Sequence, residues 1–149
     1  MSKKDLQVLG WREWLSLPDL GIRRIKAKVD TGARSSCLHA LQIEEFRRAR
    51  RDWVSFVIEV EPSRLEQRVA PVVDRREVRD SGGHRTVRPF IRTQVCLANN
   101  CWPIELNLAA RGDMLFSMLL GRTAMLGRYM VNPKLSYTKG GSPEEVVCD

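Results

Sequence analysis

Asp30, Thr31 and Gly32 stand together where an alternating run, Ala27-Lys28-Val29, comes to its end. A carboxylate delivered by a strand into a tight turn is held in one place, from which it can take a proton from water or give one to a substrate oxygen. The Thr31 hydroxyl can tie such a turn down, and Gly32, lacking a Cβ, lets a neighbouring backbone pass close. The triplet is weak alone, because Asp-Thr-Gly also occurs where a loop simply closes. Its meaning depends on what accompanies it.

Other groups able to do chemistry are few. The chain has two histidines, His39 and His84, and four cysteines, Cys37, Cys96, Cys101 and Cys148. There is no His-Glu-x-x-His, and Cys96-x4-Cys101 has no second Cys/His pair at metal spacing beside it. A zinc site from Cys37, His39 and His84 is chemically conceivable, but a satisfied structural histidine is the commoner outcome for either ring. No Gly-x4-Gly-Lys-Ser/Thr loop exists for ATP. No metal and no cofactor are expected. The irregular cysteine spacing predicts free thiols in a reducing cytoplasm.

Arginine is the conspicuous residue. Lys plus Arg is 25 against 18 acids, a net charge of +7 and a pI near 9.7, which favours an anionic partner. Arg75, Arg76, Arg79, Arg85, Arg88 and Arg92 flank Asp80-Ser81-Gly82-Gly83-His84, and Arg47 to Arg51 form a second cluster. Charge runs are usually solvated faces; guanidiniums lining a mobile hairpin would also suit a carboxylate-rich peptide. The start of the chain is basic with no apolar stretch behind it, and Met114 to Leu120 is too short to span a bilayer. A cytoplasmic protein without membrane association is expected.

At 149 residues, with 43% hydrophobic and 29% charged side chains, the chain reads as a single folded domain. Val8 to Leu15 predicts a first strand and Leu17 to Gly21 a turn. Ile25, Ala27 and Val29 face one way and Lys26 and Lys28 the other, a half-buried strand leading into Asp30. Cys37 to Ile43, Trp53 to Val60 and Val69 to Val73 predict further strands, with Arg47 to Arg51 as an exposed turn. The double glycine of Asp80 to His84 predicts a hairpin tip, and Ala98 to Asn100 another turn. Arg122 to Leu126 is a short helix, and the sequence from Tyr137 reads as a frayed tail. Many short strands and one helix point to a small β-barrel or closed sandwich.

Three features fall in order: the Asp-Thr-Gly-Ala turn, a glycine-tipped hairpin, and Leu119-Leu120-Gly121-Arg122 leading into a helix. This order resembles the retropepsins, the single-lobe aspartic peptidases. It is more similar still to a bacterial family long labelled an ATP-dependent zinc protease. The shared blocks are Gly10 to Trp14, Lys28 to Arg34, Leu38 to Ala40, Pro71 to Asp74, Ser81 to His84 and Met118 to Met125. They cover about Gly10 to Tyr137.

The resemblance implies an all-β fold, a small closed barrel of the retropepsin type with one short C-terminal helix, over residues 1–136, and a flexible tail over 137–149. It implies an aspartic endopeptidase in which each subunit of a homodimer supplies one Asp30. Asp80-Ser81-Gly82 repeats the motif by letters only, since Arg-rich sequence precedes it. Two carboxylates about 3 Å apart then hold one proton between them. The site residues it implies are Asp30, Thr31 and Gly32 for catalysis. Gly82, Gly83, His84, Arg85 and Arg88 form a flap over substrate, and Ala33, Leu120, Gly121 and Arg122 support the turn. Relatives of this family are associated with enzymes that append glutamate chains to ribosomal protein, which implies Glu-rich peptide as substrate. The competing readings are a basic nucleic-acid or ribosome-binding module and a member of the fold that only binds peptide.

Overall fold

The structure, a computed structural model, describes residues 6–110, 115–139 and 147–148. Its strands are β1 (Gln7–Leu9), β2 (Arg12–Leu17), β3 (Ile22–Asp30), β4 (Ser36–His39), β5 (Leu41–Arg48), β6 (Arg51–Glu61) and β7 (Arg64–Pro71). They continue with β8 (Asp74–Arg79), β9 (Arg85–Leu97), β10 (Asn100–Ala109), β11 (Met118–Gly121), β12 (Tyr129–Val131), β13 (Leu135–Ser136) and β14 (Val147–Cys148). One four-residue helix, α1 (Arg122–Met125), follows β11. The fold is all-β, as expected.

The main sheet runs β10-β4-β11-β3-β2-β9-β8, and β9 also pairs with β10, so the sheet closes into a ring. Closure leaves no free edge among the ring strands. β9 is the long element: Phe90 to Leu97 pairs with β10 in the wall, while Arg85 to Phe90 pairs with β8 as a hairpin. A second sheet, β5-β6-β7, presents Val54, Phe56, Ile58 and Val60 to the same core that receives Ile25, Ala27, Val29, Leu106, Leu108 and Leu120. β3 shows why. Its odd positions from Ile25 to Val29 are buried, and Lys26, Lys28 and Asp30 lie on the other face.

Several expectations are corrected. The first strand is two, because the chain breaks at Gly10: an added Cβ there would stand 2.1 Å from the Leu135 carbonyl oxygen. β1 leaves to pair in parallel with β12, while β2 joins the ring. The strand expected from Cys37 to Ile43 also divides, at buried Ala40, and its halves β4 and β5 enter different sheets. The Arg47 to Arg51 turn shrinks to Ala49 and Arg50, both in left-handed backbone, with Arg47, Arg48 and Arg51 inside strands.

The cysteine expectation fails for one pair. The β9–β10 register sets Cys96 opposite Cys101, their Cα atoms are 4.1 Å apart, and the two sulfurs form a disulfide. Cys37 is a buried thiol.

Residues 137–139, expected within the tail, pack on the barrel. Tyr137 is buried and stacks on Trp14 at 5.5 Å between ring centres. Buried Glu13 accepts hydrogen bonds from the Thr138 hydroxyl at 2.6 Å and the Lys139 amide at 3.3 Å. Aromatic stacking and a buried acceptor therefore draw residues 137–139 onto the barrel. The rest of the tail, apart from the backbone pairing of β14 with β13, lies outside the described residues.

Candidate active site

Asp30 is the last residue of β3, half-buried, with Thr31 and Gly32 exposed beyond it. Its Oδ1 accepts the amide N–H of Gly32 at 3.0 Å and of Ala33 at 3.2 Å. This Asx-type turn fixes the carboxylate against its own backbone and leaves the second oxygen outside that arrangement. An added Cβ at Gly32 would lie 3.3 Å from Asp30 Oδ1, so any side chain would crowd the carboxylate.

The turn is held from below by β11 and α1. β11 runs parallel to β3 with Leu120 opposite Val29 and Gly121 opposite Asp30. A Cβ on Gly121 would stand 2.4 Å from the carbonyl carbon of Ser35, and its amide donates to Ser36 Oγ at 3.0 Å. The Arg122 amide donates to the Ala33 carbonyl at 2.7 Å, and its guanidinium donates to the Thr31 carbonyl at 3.1 Å. Thr123 places both its amide and its hydroxyl on the Arg34 carbonyl. The expected support residues Ala33, Leu120, Gly121 and Arg122 thus lie together around the turn.

Gly82, Gly83 and His84 are exposed at the tip of the β8–β9 hairpin. Gly83 has φ +85°, a left-handed backbone that glycine accepts without strain. Asp80 caps the tip: its Oδ1 accepts the His84 amide at 2.9 Å, and its own amide donates to the His84 carbonyl. The His84 amide, first among several donors, holds the Asp80 carboxyl below its usual range. Asp80-Ser81-Gly82 therefore serves the hairpin.

The hairpin arginines are mostly engaged within the molecule. Arg75 pairs with Glu45 and Asp52, Arg76 with Asp74 and Glu105, and Arg85 with Glu77. Hydrogen bonds to Glu45 and to Glu105 lead the causes that raise the Arg75 and Arg76 guanidiniums above their ordinary range. Arg88 turns inward, donating to Asn107 Oδ1 at 3.0 Å and to the Cys37 sulfur at 3.6 Å. Asn107 in turn donates to the Ser36 carbonyl at 2.9 Å and lies 3.4 Å from Ser35 Oγ. The hairpin base is thereby tied to the loop that follows the Asp30 turn. Ser35, Ser36 and Asn107 were not foreseen; the one sign was a polar residue between Leu106 and Leu108 in a wall strand.

Among the described residues no three His, Cys, Asp or Glu side chains come together as metal ligands. Cys37 is buried beneath Arg88 while His84 is exposed at the hairpin tip, so that trio does not fit zinc. Among the described residues no helix is long and apolar enough to cross a membrane.

A family model described as the retropepsin-like aspartic endopeptidase RimB, RimB-like, matches residues 8–141, a span containing the Asp30 turn, the hairpin and β11. The chain belongs to the RimB-like family. Relatives of this RimB-like chain include three proteins named probable alpha-L-glutamate ligase. That of Desulfotalea psychrophila is 42% identical over 93% of this chain and 31% of its own length. That of Parasynechococcus marenigrum is 45% identical over 89% and 29%, and that of Shewanella pealeana 39% over 89% and 30%. The chain thus spans about a third or less of the curated relatives it matches. A crystal structure of Lpg0085, a Legionella pneumophila protein of unknown function, superposes with a TM-score of 0.76 at 26% identity, covering 91% of this chain and 99% of that one.

Proposed function

We propose that this RimB-like domain hydrolyses peptide bonds as a homodimer, with the Asp30 carboxylates of two copies meeting across a two-fold axis. The observation that carries the reading is the Asp30 turn: a strand-end carboxylate fixed by the Gly32 and Ala33 amides and buttressed by Gly121 and Arg122. An isologous contact brings one such turn from each subunit to a common site. Two close carboxylates hold one proton between them. The ionised one takes a proton from a water whose oxygen attacks the peptide carbonyl carbon. The protonated one hydrogen-bonds the carbonyl oxygen as charge develops there. Collapse of the tetrahedral species breaks the C–N bond, and the amine leaves with a proton. Thr31 and Gly32 line the approach of the partner turn, and the Gly82-Gly83 hairpin closes over substrate and excludes water.

The substrate class is acidic peptide, Glu-rich tails above all. Support comes from the net charge of +7 and from relatives named as α-L-glutamate ligases, in which sequence like this one makes up about a third of the chain or less. The nucleic-acid reading draws no comparable support: Arg47 is paired with Asp52, and the 47–51 cluster is divided between two strands.

Hydrolysis of a poly-glutamate-tailed peptide should exceed that of a neutral one and fall with salt. Asp30→Asn should abolish it with little loss of stability, because an amide oxygen still accepts from Gly32 and Ala33. Adding inactive Asp30→Asn protein to wild type should depress activity by forming mixed dimers. Full turnover by Asp30→Asn, or by a strictly monomeric protein, overturns the reading.

A further inference from the structure

The guanidiniums expected to read substrate carboxylates are largely committed to Glu45, Asp52, Asp74, Glu105, Glu77 and Asn107. An acidic substrate therefore calls for a further cation beside the scissile bond. The face of β3 that carries Asp30 supplies it. Side chains two apart on a strand share a face and lie about 6.5 Å apart, roughly the spacing of successive same-side residues in an extended peptide. Lys28 stands two residues before Asp30 and is exposed.

Lys28 has basic neighbours on this face. Its cross-strand partner on β2 is Arg12, a like charge, and its neighbour two residues back on the same face is Lys26. Like charges directly opposite each other destabilise a sheet. Arg12 is drawn aside onto the Trp11 and Tyr137 rings and to Ser136 Oγ, and Lys26 lies over Trp14. No carboxylate pairs with Lys28 among the described residues. The acid on this strand face, Asp30, has one oxygen taken up by its own turn.

We infer that Lys28 is the specificity-determining residue of the Asp30 site, its ammonium receiving the side-chain carboxylate of a substrate residue beside the scissile bond. The inference rests on the peptidase reading above and adds the residue that selects the substrate. An acidic side chain there gains a charge-assisted hydrogen bond that a neutral one lacks. The flexible stem of lysine can follow the substrate carboxylate through the reaction, as a single point charge does.

The test uses two internally quenched peptides, identical except that Glu flanks the cut in one and Gln in the other. The readout is the ratio of kcat/KM for the pair, which a general loss of folded enzyme does not move. Lys28→Met should lower that ratio roughly tenfold, the scale of one charge-assisted hydrogen bond. Lys28→Arg should restore most of it, and Lys28→Glu should shift preference toward a Lys-bearing peptide. Arg50→Gln, removing the same charge from the β5–β6 turn, should leave the ratio near wild type. In parallel, inactive Asp30→Asn protein should bind a fluorescent Glu peptide more tightly than the Lys28→Met/Asp30→Asn double variant. Should wild type cleave the peptides with a ratio that Lys28→Met does not change, or that Arg50→Gln lowers equally, the inference is wrong and the peptidase reading stands. Should wild type cleave neither peptide and Asp30→Asn bind neither, both fall together.

Discussion

Gly121 lies directly opposite Asp30 in the parallel register of β3 and β11, with no room for a Cβ between it and the Ser35 backbone. The strand that carries the carboxylate is thereby packed through Gly121 against the Ser35 backbone with no side chain between. Gly121→Ala forces either β11 or the Ser35–Ser36 backbone to move, which strains the Gly121 amide's bond to Ser36 Oγ. We expect a loss of about 1–3 kcal/mol in stability, the usual cost of overpacking. Hydrolysis should fall further than stability does, as measured by thermal unfolding beside peptide cleavage.

Arg88 and Asn107 should behave as a unit. Removing the guanidinium leaves the Asn107 oxygen, 1% exposed as a residue, without its donor. Arg88→Met is expected to cost about 1–3 kcal/mol, the penalty of an unsatisfied buried acceptor. In an Arg88→Met/Asn107→Leu double variant the two losses should sum to less than the separate effects. A double-mutant cycle by urea unfolding measures the coupling, and additive losses refute it.

Glu13 is a buried carboxylate that collects the amides of Gly10 and Lys139 and the Thr138 hydroxyl. Glu13→Ala strands these donors and should destabilise the domain by a few kcal/mol. It should also release the 137–139 segment, so that limited proteolysis cuts there first. Unchanged cleavage kinetics at that segment would refute the tie.

Acid should loosen the hairpin tip in a definite direction. The Asp80 carboxyl sits below its usual range in the folded protein because the His84 amide, before other donors, bonds its charged form. Its contribution is therefore complete above the unfolded carboxylate range and is lost as pH falls through the lower, folded value. Amide exchange at His84, followed by NMR from about pH 6 to about pH 2, should accelerate only at the acid end. Asp80→Asn should remove the acid step.

Much of this was legible in residue order. Ile25, Ala27 and Val29 alternate because one face of β3 meets a core, and that periodicity delivers Asp30 to the end of a strand. The letters Leu119-Leu120-Gly121 showed a core strand ending in a turn, and the family resemblance set that strand under Asp30. The strand breaks at Gly10 and Ala40 were hidden, since they answer to Leu135 and Ala109, contacts more than 65 positions away. The hairpin arginines misled for the same reason. Glu45, Asp52 and Glu105, which claim Arg75 and Arg76, are remote in sequence, and local charge density says nothing of such partners. Cys96 and Cys101 were legible on either side of a turn, but their bond was not, because it needs the register that sets them face to face.

The stitching of the 135–139 segment to β1 and β2 has an architectural consequence. Leu135 receives the Trp11 amide, Asn132 donates to Leu9, and Thr138 reaches the Val8 carbonyl, so β1 and the 135–139 segment emerge from one small patch. A companion module spliced ahead of Gln7 or behind Lys139 would spring from nearly the same anchor.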